Sequence, residues 1–407
     1  LNLNPLSMKP IWANAICATY FCPKFSRLKQ FYSHSFKLGV LGGGQLGRML
    51  IQEAVNYDVN VAILDPSPNA PCAHLVQEFV VGDFADYDAV YKFGKDKDVL
   101  TIEIEHVNVE ALRKLKSEGV AIYPDPEIIH IVQDKGLQKA FYRDHQIATA
   151  DFILINSKAE ISAHRDRLPF MQKLRSGGYD GRGVTAVRNE EELSQAFDAP
   201  SVLESFVDFE KEISVIIARN PSGEVKSYPV VELEFNSEAN LVEYLFSPAI
   251  ISSAVEEKAH SLAHRIVEEL NFVGILAVEM FVTKTGDVLV NEIAPRPHNS
   301  GHHTIEANIT SQYEQHLRAI LNLPLGSTAI INPAVMVNLL GEPGYSGPVN
   351  YEGLQEALSW EGVHVHIYGK ADTKPFRKMG HVTVVARSLE EATTLARRVK
   401  STVRVIA

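Results

Sequence analysis

Apolar residues along this chain follow two patterns, and their alternation predicts the fold class. Compact β-prone runs occur at Lys37–Leu41, Val59–Asp65, Phe79–Val81 and Val99–Ile102. Between them, Gln45–Tyr57 and Asp86–Phe93 place apolar residues at the spacing of a helix with one buried stripe. Strands alternating with helices predict an α/β protein that begins with a doubly wound, Rossmann-like parallel sheet over 37–130, closed by Pro124-Asp125-Pro126. A second segment, 131–205, reads as helix Lys135–His145, strand Phe170–Leu174 and a glycine-rich loop. A third, 206–322, has strands Glu212–Ala218 and Val225–Val231, helix Val255–Leu270 and a hairpin, and ends with helix Gln312–Leu321. The tail, 323–407, reads as a small β-rich domain with strands Val335–Leu340, Val363–Tyr368 and Val382–Ala386 before helix Leu389–Val399.

In the hairpin of the third segment, Leu276–Val282 and Val288–Ile293 flank the turn Lys284-Thr285-Gly286-Asp287. A loop centred on Thr285-Gly286 sets Glu279 opposite Glu292 on one face. Two carboxylates so placed among apolar neighbours repel and are costly to bury. A divalent cation between them removes that cost, and oxygen ligands suit Mg²⁺ (or Mn²⁺) held with nucleotide phosphates. A one-residue shift of register is the alternative, sending the two to opposite faces.

At 407 residues the chain exceeds one ordinary core, so two or three domains are expected. A net charge of −11 argues against a general nucleic-acid binder while allowing a local basic pocket. Cys17, Cys22 and Cys72 form no CxxC motif or disulfide framework, which suits a reducing cytoplasm. No apolar run of about 18 residues is present to span a membrane. Residues 1–36 contain Lys9, Lys24, Arg27 and Lys29 but no acid. They read as an unstructured extension, with a short organelle-type leader as the alternative.

Several motifs carry candidate chemistry. Gly42-Gly43-Gly44-Gln45-Leu46-Gly47 matches G-x-G-x-x-G between a strand and a helix, with Asp65 ending the next strand. It suits a NAD-type cofactor, a phosphate-bearing substrate, or close strand–helix packing. The first of these defines a rival function, an NAD(P)-dependent oxidoreductase. Gly177-Gly178-Tyr179-Asp180-Gly181-Arg182-Gly183 has four glycines in seven residues, a composition suited to a lid over a triphosphate. Lys173, on the preceding strand, is placed to reach α- or β-phosphates. Glu204-Ser205-Phe206-Val207 can form an adenine-binding connector, with Glu212 accepting from ribose hydroxyls; solvated glutamates are the plain alternative. In the irregular run after Glu292, Arg296 and His298 read as anion contacts beside the metal, whereas His302 and His303 read as satisfied loop histidines. Glu103-Ile104-Glu105-His106 follows a strand at its carboxyl end, where open α/β sheets bind ligands. Arg377-Lys378 is a short basic patch that would have to fold back onto the first domain to meet a phosphate.

Together these pieces resemble the ATP-grasp superfamily. The strings GGGQLGRM, EIEHVN, GGYDGRG, NEIAPRPHNSGH and RKMGH, in that order, resemble its branch that carboxylates an aminoimidazole ribonucleotide in purine biosynthesis. The resemblance runs from Leu38 to the C-terminus. It implies an ATP-grasp fold and an ADP-forming carbon–nitrogen ligase in which ATP phosphorylates bicarbonate, carboxyphosphate releases CO₂, and the amine of 5-aminoimidazole ribonucleotide captures it. Lys135, Lys173, Gly177, Gly178, Tyr179, Asp180, Gly181, Arg182, Gly183, Glu204, Ser205, Phe206, Val207, Glu212, Asn291 and Glu292 would then bind ATP. Glu279 and Glu292 would hold Mg²⁺. Gly44, Gln45, Leu46, Asp65, Glu103, Arg377 and Lys378 would bind the ribonucleotide, with the Gly42–Gly47 turn and the basic pair on its 5-phosphate. Arg296 would hold bicarbonate, His298 or Tyr179 would handle protons, and Arg182 would join them in catalysis. Phe235 stands where some members place a histidine near ATP. The resemblance also implies a homodimer acting beside a separate downstream mutase, with no fused mutase-type domain after residue 407.

Overall fold

The computed structural model describes residues 31–178, 183–236 and 241–407; the expected leader or extension at 1–30 and the lid residues Tyr179, Asp180, Gly181 and Arg182 lie outside the described residues. Five strands, β1 (Leu38–Leu41), β2 (Val61–Asp65), β3 (Glu78–Val81), β4 (Val99–Ile102) and β5 (Ala121–Ile122), form a parallel sheet in the order β3-β2-β1-β4-β5. Every residue of β1, β2 and β4 is buried, as expected of central strands with helices on both faces. The order reverses between β1 and β4, which opens a crevice at their carboxyl ends. Helices α1 (Gln45–Asn56), α2 (Tyr87–Gly94) and α3 (Val109–Ser117) cross between the strands. Asp86 caps α2 and Asn108 caps α3 through their side chains.

Pro124-Asp125-Pro126 does not end this region. Asp125 caps α4 (Pro126–Gln133), with Pro126 in its first turn, so the boundary expected near residue 130 falls inside a helix. Asp134 then caps α5 (Lys135–Asp144). A four-stranded antiparallel sheet follows, with β6 (Phe152–Ile155), β7 (Phe170–Leu174), β8 (Val184–Val187) and β9 (Ser201–Ser205) in the order β6-β9-β7-β8.

The third sheet holds β10 (Phe209–Arg219), β11 (Val225–Ser227), β12 (Val231–Asn236), β13 (Leu241–Ser247), β14 (Gly274–Thr283), β15 (Val288–Ala294) and β16 (Ala334–Leu340). The strand expected over Val225–Val231 is two strands, because Pro229 supplies no N–H to the ladder. Beyond β16 come the short ribbons β17 (Gly347–Pro348) with β20 (Asp372–Thr373) and β18 (Asn350–Glu352) with β22 (Arg404–Ile406). Strands β19 (Val363–Ile367) and β21 (Lys378–Val385) complete the large sheet, in the order β15-β14-β10-β12-β13-β16-β21-β19, with β11 on β10. The tail from residue 323 therefore extends the sheet of the third segment through the β13–β16 pairing, beside two short ribbons of its own.

Helix α6 (Ser253–Glu269) buries Ala259, Ala263, Ile266 and Val267 against Ile213, Val215, Val278 and Val290 of the large sheet. After the single turn α7 (Thr304–Ala307), α8 (Gln312–Ile320) lies between the large sheet and the first domain. Its Tyr313, Leu317 and Ile320 share one core with Met49, Leu50 and Val40. His316 Nε2 also meets Thr101 Oγ1 at 3.0 Å, so the crevice of the parallel sheet is fixed against the hairpin carrying the two glutamates. Beyond the turn α9 (Leu354–Ala357), α10 (Leu389–Thr402) covers β16 and β21. No helix among the described residues is long and apolar enough to cross a membrane.

Candidate active site

The glutamate pairing holds, but by a route that strand alternation alone does not give. Next to the turn, Val282 faces Val288 and Met280 faces Val290. Continued without interruption, that register would set Asn291 opposite Glu279. A β-bulge between Glu279 and Met280 absorbs one residue, and Glu279 then pairs with Glu292. The bulge also gives Asn291 and Glu292 separate cationic partners. Lys173 Nζ donates to Asn291 Oδ1 at 2.9 Å, and Lys135 Nζ donates to Glu292.

Those lysines come from different elements. Lys135 is the first residue of α5, set there by the Asp134 cap, and Lys173 lies on β7. Beside Lys173, Glu204 on β9 is 4% exposed, which corrects the reading of it as a solvated glutamate. Its carboxylate accepts from Lys173 Nζ at 2.8 Å and Lys139 Nζ at 3.2 Å. Lys139 also donates to Thr149 Oγ1 at 2.6 Å, and Thr149 Oγ1 in turn to Val290 O at 2.6 Å, so this ion triad is tied to the hairpin.

The electrostatics divide the two metal-candidate carboxylates. Burial, reinforced by the charges of Glu292 and Glu212, holds the Glu279 carboxyl above the ordinary range. The Lys135 ammonium pulls Glu292 below it, overcoming burial, with help from Lys173. Within the pair a proton therefore resides on Glu279 in preference to Glu292, and a divalent cation would displace it. The oxygen-only donor set fits Mg²⁺. For Glu204, burial acts upward, yet Lys173 and Lys139 together hold the carboxyl below its ordinary value.

Glu212 is pushed up to about 7, by burial first and then by the charge of Glu292, with Lys173 opposing. Between its unfolded value of about 4.3 and this folded value, the folded state binds more protons, so Glu212 lowers apo-protein stability as pH rises through that window. Melting curves of wild type and Glu212→Gln should therefore diverge in favour of the variant from about pH 5 to about pH 8. A constant difference between the two across that range would count against the assignment.

The first glycine loop departs from expectation. Its amides, expected to receive a substrate phosphate, already bind carboxylates of this chain. Gly44 N and Gly47 N donate to Glu103 Oε1 and Oε2 at 2.6 and 2.8 Å, and Gly43 N donates to Asp65 Oδ2 at 2.7 Å. Asp65 Oδ1 also accepts from Ser67 N at 2.8 Å, so this side chain fastens the loop and does not line the cleft. The positive end of α1 is neutralised internally by Glu103, whose own carboxyl is raised by burial. Gly44 N and the Asp65 carboxylate are thus engaged within this chain.

A cleft of about 470 Å³ joins the three sheets. It gathers Gln45, Leu46 and Glu103 from the first domain, Lys135, Gly177 and Gly178 from the second segment, and Glu279, Glu292, Arg296, His298 and Lys378 from the large sheet and its loops. Lys173, Glu204, Glu212 and Asn291 stand behind this lining in the polar network. Ser205, Phe206 and Val207 line a separate cavity of about 370 Å³ with Thr149, Asp151 and Lys284. Gly183, at φ +73°, closes the base of the lid loop, where Leu174 N donates to Gly183 O at 2.8 Å. Arg377 donates to the Asp372 carbonyl at 2.6 Å and does not line the cleft, although its neighbour Lys378 does. Phe235 packs with Val231, Leu233, Leu245 and Met336 in an apolar cluster away from the cleft.

Near the metal-candidate pair, His298 Nε2 is 3.7 Å from Glu279 Oε1, and its Nδ1 is 2.9 Å from Ser300 Oγ. Arg296 Nη2 bonds Glu105 Oε1 at 2.7 Å. His302 and His303 lie in a turn and are buried, each 1% exposed. Burial holds His302 well below the ordinary imidazole range, and its Nδ1 lies 2.9 Å from the Tyr313 hydroxyl. Glu105, from the run expected at the carboxyl end of a strand, lines the cleft, and among lining residues not anticipated are Gln133, Arg175 and Asn299. The doublet of Arg175 with Asp134, at 2.8 and 2.6 Å, had a faint signal in the proximity of Arg175 to Lys173.

Comparison with known proteins agrees with this architecture. The ribonucleotide synthetase preATP-grasp domain matches residues 36–133, the ATP-grasp domain 140–313, and the phosphoribosylaminoimidazole carboxylase C-terminal domain 334–394. The chain is 41% identical over 361 residues to the chloroplastic phosphoribosylaminoimidazole carboxylase of Vigna aconitifolia, covering 86% of this chain and 64% of that protein. The chain thus spans somewhat less than two thirds of that plant relative's length. The crystal structure of N5-carboxyaminoimidazole ribonucleotide synthetase from Thermotoga maritima superposes with a TM-score of 0.85 at 45% identity, covering 91% of this chain and 99% of the other. The Aspergillus clavatus synthase in complex with ADP and 5-aminoimidazole ribonucleotide superposes with a TM-score of 0.83 at 35% identity, covering 90% and 98%.

Proposed function

Because this chain belongs to the N5-carboxyaminoimidazole ribonucleotide synthase family of ATP-grasp proteins, we propose that it carboxylates the amine of 5-aminoimidazole ribonucleotide at the expense of ATP and bicarbonate, in purine biosynthesis. The observation that carries the reading furthest is the Glu279–Glu292 pair, opposed across a bulged hairpin and flanked by Lys135 and Lys173. Phosphoryl transfer requires positioned phosphates and neutralised charge more than a covalent nucleophile, and this arrangement supplies both.

In this reading a bicarbonate oxygen attacks the γ-phosphorus and ADP departs. Carboxyphosphate then breaks into CO₂ and inorganic phosphate, and the substrate amine bonds to the CO₂ carbon and loses one proton. Lys135 and Lys173 neutralise phosphate oxygens. Glu279 and Glu292 would hold Mg²⁺ (or Mn²⁺), which when bound supplies Lewis-acid neutralisation of the transferred group. The Arg296 guanidinium orients bicarbonate. His298, beside Glu279 and steadied by Ser300, is the residue placed to accept a proton. The lid that begins at Gly177 and Gly178 keeps water from the acyl phosphate, with Tyr179 and Arg182 as its further contacts. Glu103 and Lys378 face the ribonucleotide. We assign the protein to the cytoplasm, where a free buried thiol such as Cys72 suits the redox conditions, and to a homodimer whose product passes to a downstream mutase.

The rival NAD(P) reading loses its main support, since the glycine-loop amides and Asp65 are bonded to each other and to Glu103. Phosphate release from ATP should require Mg²⁺ and bicarbonate, rise on addition of 5-aminoimidazole ribonucleotide, and ignore NAD(P)H. Tight NADH binding without ATP turnover would reverse the assignment.

A further inference from the structure

We propose that Glu105 is a positioning residue that ties the orientation of Arg296 to the ribonucleotide side of the cleft, so that occupancy there governs how Arg296 meets bicarbonate. This rests on the function proposed above. The loop leaving β4 is fixed at three places. At its start, Glu103 accepts from the amides of Gly44 and Gly47 at the head of α1, beside Gln45 and Leu46 of the cleft wall. In its middle, Gln133 Nε2 of α4 donates to the carbonyls of Glu105 and Val107 at 2.7 and 2.8 Å. The third attachment is the Glu105 carboxylate, which reaches the far wall and accepts from Arg296 Nη2 at 2.7 Å.

The side chains in that pair are 17% and 18% exposed, and both line the cleft. Arg296 Nη1 donates to the Pro297 carbonyl at 3.0 Å, so the guanidinium plane is fixed from two directions. A planar fork meets bicarbonate productively only when its plane is set. Arg296 lies just beyond β15, which carries Glu292. One short loop thus connects the head of α1, α4 and the end of the metal-candidate hairpin.

The test is a double-mutant cycle on phosphate release, using wild type, Glu105→Gln, Arg296→Lys and the double variant, with ATP, bicarbonate and 5-aminoimidazole ribonucleotide each varied. Glu105→Gln should raise the KM for bicarbonate about tenfold, hold the KM for ATP within about twofold, and blunt stimulation by the ribonucleotide. The double variant should be no worse than Arg296→Lys alone, because Glu105 acts through Arg296. Effects that multiply, or an unchanged bicarbonate KM, would overturn the inference while the functional reading stands. If Glu105→Gln melts without a cooperative transition, Glu105→Asp carries the same comparison, since it keeps the charge but withdraws the carboxylate. A wild type inert with all three substrates would overturn the functional reading, and this inference with it.

Discussion

Glu292→Gln should reduce Mg²⁺-dependent phosphate release by about 10²-fold or more while leaving a cooperatively folding apo-protein. The loss follows from removing one of two opposed carboxylates and the partner of the Lys135 ammonium. The small stability effect follows from opposing contributions. The Glu292 side chain is 42% exposed, so its pair with Lys135 is partly solvent-screened and contributes about 0–1 kcal/mol. Against that, the charge of Glu292 helps push the Glu279 carboxyl upward, an unfavourable coupling that the substitution relieves. The measurement is phosphate release across a Mg²⁺ titration alongside apo-protein melting. Turnover near the wild-type value would remove the metal assignment, and with it the main physical support for phosphoryl transfer at this hairpin.

Lys173→Met should damage both catalysis and folding. Its ammonium bonds Glu204 and Asn291 and, in the function proposed above, also neutralises phosphate oxygens, so kcat/KM for ATP should fall by about 10²–10³-fold. Glu204 would keep only Lys139 as a charge partner in a buried setting, and apo-protein stability should fall by about 3 kcal/mol. The sign with pH is fixed by the depressed carboxyl of Glu204. In wild type that carboxyl contributes stability in full above its unfolded value of about 4.3, and the contribution is lost as pH falls through the lower folded value. The stability gap between wild type and variant should therefore narrow in acid. Lys139→Met is the comparison: it removes the ammonium bonded to the other oxygen of Glu204 and to Thr149, so it should destabilise while sparing more of the ATP dependence. Equal losses of ATP turnover in the two variants would make Lys173 a structural member of the triad only.

The alternating strands and helices of the first domain were legible in the sequence because each is a local pattern. β1, β2 and β4 are largely apolar runs, and Asp86 is a cap visible by residue type alone. The face shared by Glu279 and Glu292 was legible too, but the bulge that brings it about was not, since period-two alternation carries no sign of one extra residue. The state of the first glycine loop was hidden for a different reason. Its anion is Glu103, 59 residues beyond Gly44, and nothing local to the loop reveals that its amides are taken. The same limit hid the Glu105–Arg296 bond and the depth of Glu204, both set by contacts between separate segments. Strand order is likewise absent from local pattern, so the pairing of the tail's β16 with β13 was not legible.

That tail has a consequence for how the chain can be divided. Because β16 hydrogen-bonds β13, with Tyr244 opposite Val337 and Ser247 opposite Ala334, the join is a seam inside one sheet. A fragment ending between α8 and β16 would strip the cover from Tyr244 and Phe246 and leave β13 with a row of unmatched backbone donors and acceptors. An open edge of that kind is a template for pairing with another chain, so the shortened protein would be driven toward self-association. Proteolytic nicking there would not release two independent modules, and any complementation scheme that splits the molecule would do better to cut in an exposed turn such as Lys284–Asp287, outside the ladder.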